Sequence, residues 1–152
     1  MKLSIIILAA GQGTRMNSAR PKVLHPLGGR PLLAHVLDTA RSLQAMDIHV
    51  VIGHGAEQVR DVLPEPDIHW VLQEQQLGTG HAVAQAMPAV PDENTVLVMY
   101  GDVPLISKQT LEPLCQMAAQ GLAALLSAEL DDPAGYGRIL HLSLIHISEP
   151  TR

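Results

Sequence analysis

Leu3-Ser-Ile-Ile-Ile-Leu8 runs directly into Ala9-Ala-Gly-Gln-Gly13, and few folds accommodate that junction. The aliphatic run, rich in β-branched residues, suits a strand buried on both faces of a parallel sheet. Alanine and glycine then leave bare backbone at the strand's carboxyl end, where open α/β sheets bind ligands. Glycine admits positive φ and lets N–H groups approach an anion with no side chain in the way. Arg15 and Lys22 bring two cations to the same mouth. The pattern suits a polyphosphate; the plainer reading is a tight strand-to-helix turn with two solvated cations.

Gly11-x-Gly13 does not by itself choose a nucleotide fold. The dinucleotide fingerprint needs a third glycine where Met16 stands and an acidic residue after strand two, which ends at Ile52-Gly53. A Walker A loop needs Gly-Lys-Ser/Thr, and the chain has none. With 152 residues the chain allows one domain. A net charge of −5 and only three aromatic residues (Trp70, Tyr100, Tyr136) argue against a nucleic-acid or anionic-membrane partner. Arg15 and Lys22 are therefore site features and not part of a basic surface. Cys115 is the sole cysteine, which excludes an intrachain disulfide and suits a reducing compartment. It reads as a small core residue of a helix. The apolar N-terminal run is too short for a secretion signal or membrane span, so the expected location is the cytoplasm.

Strand and helix patterns alternate along the chain. Pro26 to Gly29 reads as a turn, and Arg30-Pro31 as the opening of a helix that puts Leu32, Leu33, Val36, Leu37, Ala40 and Leu43 on one face. Ile48 to Ile52 is a second strand. Ala56 to Leu63 is a helix expected to turn Val59, Val62 and Leu63 inward, and Ile68 to Leu72 is a third strand. The polar run Gln73 to Gln76 breaks at Gly78-Thr-Gly80 into a helical segment reaching Met87, and Pro88 to Asn94 is a loop. Thr95 to Tyr100 is expected to be the most clearly buried strand. Ser107 is positioned to cap a helix over 108–119, with Leu111, Leu114, Cys115 and Ala118 inward. Leu122 to Leu130 reads as a further strand. This alternation specifies an α/β protein with a parallel or mixed sheet wrapped by helices.

Asp102 follows the strand ending at Tyr100, which aims a carboxylate at the crevice beside the Gly11–Gly13 loop. Magnesium binds through one or two carboxylates with substrate phosphates and water. An Asp capping a turn before Pro104 is the alternative. Gln73 offers an amide donor and acceptor for a pyrimidine edge, and Gly78 and Thr79 let backbone approach a base or ribose; a solvated loop is the bland reading. The histidines show no metal spacing, so His25, His35, His54 and His81 read as structural or surface residues.

Leu8-Ala-Ala-Gly-Gln-Gly-Thr-Arg-Met16 followed by Pro21-Lys22 resembles the signature of sugar-1-phosphate nucleotidyltransferases. Adding Pro21-Lys-Val-Leu-His25, Gly53-His-Gly55, Trp70-Val-Leu-Gln73, Gln76-Leu-Gly-Thr-Gly-His81, Tyr100-Gly-Asp-Val-Pro-Leu105 and Asp131 to Ile139 narrows the resemblance. The strings are similar to the bacterial bifunctional N-acetylglucosamine-1-phosphate uridylyltransferases/glucosamine-1-phosphate acetyltransferases. That resemblance implies a Rossmann-like nucleotidyltransferase fold, a mostly parallel sheet with helices on both faces. It implies Mg²⁺-dependent synthesis of UDP-N-acetylglucosamine from UTP and N-acetylglucosamine 1-phosphate, a cell-wall precursor step. By the same likeness Leu8, Ala9, Ala10, Gly11 and Gln73 hold uridine, with Gly78 and Thr79 beside them. Arg15 and Lys22 take the triphosphate and act as the catalytic cations, Asp102 ligates Mg²⁺, and Tyr100, Gly101 and Gly137 line the nucleotide-sugar pocket.

The family pattern stops after Ile139. Residues 1–139 are expected to be the N-terminal part of a nucleotidyltransferase domain, incomplete at its C-terminal end. Residues 140–152 read as an alternating edge strand or, preferred here, as a non-native tail resembling translated sequencing-adapter read-through. The resemblance then implies a site lacking its downstream wall and one metal ligand, a feeble catalyst, and an unpaired sheet edge that invites aggregation. It also implies that the trimerising, acetyl-CoA-using half of the family is not encoded here. Two competing functions stay open: transfer to another sugar phosphate or from CTP, and a non-catalytic domain that senses a nucleotide sugar.

Overall fold

The computed structural model describes residues 1–11, 13, 18–132, 134, 138–142 and 145–149. Strand β1 (Leu3–Ala9) leads into the glycine-rich loop, and a single 3-10 turn follows at Lys22–Leu24. Two short strands, β2 (Pro26–Leu27) and β3 (Arg30–Pro31), form a hairpin turned by Gly28-Gly29. Helix α1 (Leu32–Ser42), β4 (Asp47–Ile52), α2 (Ala56–Val62), β5 (His69–Leu72) and α3 (Thr79–Ala86) come next. The chain continues through a 3-10 turn at Met87–Ala89, β6 (Thr95–Tyr100), α4 (Lys108–Ala118), β7 (Arg138–Leu142) and β8 (Ile145–Glu149).

The central sheet is parallel and ordered β5-β4-β1-β6. Chain order therefore runs outward from β1 to β4 and β5, then returns to β6 on the other side of β1. That reversal makes a crevice at the carboxyl ends of β1 and β6, where Leu8 stands opposite Tyr100. The period of two along β1 sorts its side chains. Ile5, Ile7 and Ala9 pack with Leu33, Val36, Leu37 and Ala40 of α1, Val59 of α2, and Leu111 and Cys115 of α4. Ile6 joins Val51, Ala82, Ala86 and Val90 beneath α3 on the other face. Each fully buried isoleucine contributes roughly 1.5–3 kcal/mol relative to exposure. The buried hydroxyl of Ser4 is satisfied by Asn94 Nδ2, which donates to it at 2.8 Å.

Four expectations are corrected. The helix opens at Leu32 and not at Arg30, because Arg30-Pro31 pairs back on Pro26-Leu27. Val62 is 52% exposed, since only Val59 and Leu63 lie on the stripe of α2 that meets the sheet. Strand β6 has its expected span, but Met99 is its only buried residue and Tyr100 is 50% exposed. It is an edge in the described sheet, and α3 lies over β1 and β4, so Val98 and Tyr100 stay open. Leu122 to Leu130 forms no strand. An extended run becomes a strand only when a neighbour takes its N–H and C=O groups, and among the described residues none does. Strands β7 and β8 pair antiparallel in a two-stranded sheet of their own.

Candidate active site

The cleft at the strand reversal has a volume of about 470 Å³ and is lined by Leu8, Ala9, Ala10, Gly11, Lys22, Gln73, Gly78, Thr79, Tyr100 and Asp102, with Gly13, Val23, Gln76 and Ala82. The carboxyl end of β1 forms its floor, β5 and the start of α3 one wall, and the end of β6 the other. Gly13 has φ +60, and a Cβ on it would lie 3.2 Å from Lys22 Cβ. Only glycine suits both the left-handed backbone and that approach, so Gly13 lies directly against the turn that carries Lys22.

Gly101 stands behind the lining, where its N–H donates to the Leu8 carbonyl at 2.9 Å. A Cβ there would meet Ala9 Cβ, the Leu8 carbonyl oxygen and Val23 Cγ1, each at 3.2 Å. This close fit fixes where the next residue, Asp102, begins. Its Oδ2 accepts from Lys22 Nζ at 2.5 Å, with the two side chains 29% and 43% exposed. An ion pair this open to water is worth about 0–1 kcal/mol, so competing ions can exchange with either partner.

Gln73 is buried at the end of β5 and its amide nitrogen reaches Gly78 O at 3.3 Å and His81 Nδ1 at 2.9 Å. One amide hydrogen of Gln73 is thereby directed at the Gly78 carbonyl inside the protein. His81, half-buried in the first turn of α3, stands behind the lining and contacts Gln73, as the structural reading of this histidine expects. Gln76 and Val23 also line the cleft; each lies within a motif of the family resemblance, Gln76-Leu-Gly-Thr-Gly-His81 and Pro21-Lys-Val-Leu-His25, but was assigned no role there. Arg15 and Gly137 lie outside the described residues.

Among the described residues no group of three or more His, Cys, Asp and Glu gathers in one place. A divalent ion here would depend on Asp102 with phosphate and water ligands, a donor set that suits magnesium or manganese. Asp102 already attracts one cation, Lys22, at a solvent-open cleft, so the residues present fit such an ion. No helix of the described residues is long and apolar enough to cross a membrane.

The family model for the MobA-like NTP transferase domain matches residues 5–146. The chain belongs to that family. Within it the chain is 58% identical over 138 residues to the bifunctional protein GlmU of Marinobacter nauticus. It is 60% identical over 140 residues to the bifunctional protein GlmU of Pseudomonas putida. These matches cover 91% and 92% of the chain but only 30% of each relative, so the chain spans under a third of their length. Among solved structures, the manganese complex of Rv0371c from Mycobacterium tuberculosis superposes with a TM-score of 0.68 at 24% identity. That likeness covers 79% of this chain and 61% of the other, and shows the shared α/β fold.

Proposed function

We propose that the cleft binds UTP and that its residues serve uridylyl transfer to N-acetylglucosamine 1-phosphate, giving UDP-N-acetylglucosamine and pyrophosphate. The observation that carries this reading is the meeting of Lys22 with Asp102 at the mouth of a cleft floored by bare backbone. Family membership and the GlmU relatives support it. In the reaction, a phosphate oxygen of the sugar phosphate attacks the α-phosphorus of UTP. The bond from that phosphorus to the bridging oxygen breaks, and pyrophosphate leaves opposite. No covalent enzyme intermediate is required, so positioning and charge neutralisation carry the catalysis.

Backbone from Leu8 to Gly11, Gln73, Gly78 and Thr79 would bind the uridine, and Tyr100, Gly101 and Gly137 the nucleotide-sugar side. Lys22 would bind the triphosphate and screen the approach of the second anion, with Arg15 on the leaving pyrophosphate. Asp102 would hold the divalent ion, Mg²⁺ in this reading, which when bound neutralises phosphate charge; the manganese in the Rv0371c complex supports an ion in a fold of this kind. The single reduced thiol, Cys115, favours the cytoplasm. Titration calorimetry tests the nucleotide step directly. UTP is expected to bind with Mg²⁺ present and to lose affinity when it is chelated; failure to bind UTP in the presence of Mg²⁺ refutes the proposal.

A further inference from the structure

The turn after β4, Gly53-His54-Gly55, lies among the motifs of the family resemblance but supplies no atom to the lining of the cleft. Gly55 is the N-cap of α2, with φ +72 and ψ +23 in the left-handed region. A Cβ on it would lie 2.5 Å from Pro21 Cγ and 3.5 Å from Pro21 Cδ. Those atoms belong to a buried ring with little freedom to turn aside. A methyl at Gly55 could be admitted only by moving backbone.

Pro21 opens the 3-10 turn Lys22–Leu24, and its carbonyl accepts from the Leu24 N–H at 2.9 Å. Val23 and Leu24 fix that turn in the core, and Val59, whose N–H donates to the Gly55 carbonyl at 3.1 Å, fixes the start of α2 in the same core. Gly55 therefore sets the distance between two anchored elements. Gly13, at φ +60, comes against the Lys22 Cβ itself. Two glycines thus decide where the lysine side chain leaves the backbone, Gly13 by touching it and Gly55 through the preceding proline. From that point Nζ reaches Asp102 Oδ2 at 2.5 Å.

We propose that Gly55 is a positioning residue for Lys22: by letting α2 close on Pro21, it sets the ammonium at the mouth of the cleft. This rests on the nucleotide reading given above and extends it to what places the cation of that site. A methyl would push the turn and α2 apart and shift Lys22 relative to Asp102, which is held from β6. Such shifts matter, since a group misplaced by about 1 Å can cost on the order of 10²-fold in an oriented reaction. Left-handed backbone alone does not create this role. Gly121 has φ +83, and a Cβ there would meet nothing within 4 Å.

Calorimetry with Mg²⁺ present, measuring UTP affinity in wild type, Gly55→Ala, Lys22→Ala and the double variant, tests this. Gly55→Ala is expected to lower the affinity on the order of tenfold. Where Lys22 is already alanine, the same change is expected to add no further loss. An unchanged affinity in Gly55→Ala overturns the proposal and leaves the nucleotide reading intact, as does an undiminished loss in the Lys22→Ala background. Gly121→Ala carries the same backbone strain away from the site and is expected to keep wild-type affinity; a loss equal to that of Gly55→Ala overturns the proposal. Wild type that fails to bind UTP overturns the nucleotide reading and this proposal with it. Nuclear Overhauser spectra of wild type add a test independent of ligand and of variant folding. Strong contacts between the Gly55 α-protons and the Pro21 γ-protons are expected, and their absence overturns the proposal.

Discussion

Lys22 Nζ stands 2.5 Å from Asp102 Oδ2, joining positions 80 residues apart in the sequence across the mouth of the cleft. The two groups assigned to the triphosphate and to the metal therefore hold each other when neither ligand is bound. Binding must exchange this pair, not fill vacant positions. Because both side chains are partly open to water, the exchange costs little.

Lys22→Ala separates the two roles. Removing the ammonium frees Asp102, so Mn²⁺ affinity without nucleotide is expected to stay level or rise. Affinity for UTP with Mg²⁺ falls, and turnover in a full-length relative carrying the same change drops on the order of 10²-fold. Manganese binding followed by electron paramagnetic resonance and nucleotide binding by calorimetry check the two halves. Loss of Mn²⁺ binding in the variant would contradict the exchange.

Gly101→Ala tests the close fit behind the cleft. The added methyl would meet Ala9, Leu8 and Val23, each at 3.2 Å. Overpacking of this kind costs about 1–3 kcal/mol, and relief would displace Asp102. A lower melting temperature together with weaker Mn²⁺ binding is expected; unchanged values in both would remove the positioning role of this glycine.

Arg41 from α1 grips Asp67 through Nε at 2.8 Å and Nη2 at 2.7 Å, and Glu65 through Nη2 at 2.8 Å. The hydrogen bond from Arg41 holds the Asp67 carboxyl below the usual carboxylate range. A depressed carboxyl stabilises the fold above its unfolded pKa, and that stability is lost as pH falls through the folded value. The network is half exposed, so it is worth about 0.5–1 kcal/mol. Arg41→Met should lower stability by that amount near neutral pH, and the difference should shrink at an acid pH beneath the usual carboxylate range. Denaturant titrations at the two pH values check this.

Burial of Cys115 pushes its thiol pKa up, with the nearby charge of Glu112 adding to the effect. Thiolate is the reactive form, so iodoacetamide should modify the native chain far more slowly than the denatured one at mildly alkaline pH. Mass spectrometry over time measures both rates; equal rates would place the thiol outside the core.

Local pattern was enough for the elements whose partners lie close in sequence or whose signal is strong. The aliphatic run of β1, the stripe of α1 and the Ser107 cap, whose hydroxyl accepts from Thr110 N–H at 3.3 Å, follow from residue type and spacing. The site on either side of the strand reversal was legible for the same reason: bare backbone after β1 and an acid after β6 need only a parallel sheet to bring them together. What local pattern could not decide was neighbourhood. Among the described residues, Thr95–Tyr100 has the composition of an interior strand yet lies at an edge, and Leu122–Leu130 has that of a strand yet finds no partner. The ammonium of Lys22 on Asp102 and the imidazole of His81 on Gln73 likewise depend on which elements the fold sets side by side. The sequence alone determined the strands, helices and chemical groups, because covalent sequence dictates periodicity and side-chain type. Only the tertiary structure decided their exposure, their partners and which atoms remain for a ligand, because burial and hydrogen bonding depend on neighbours distant in the chain.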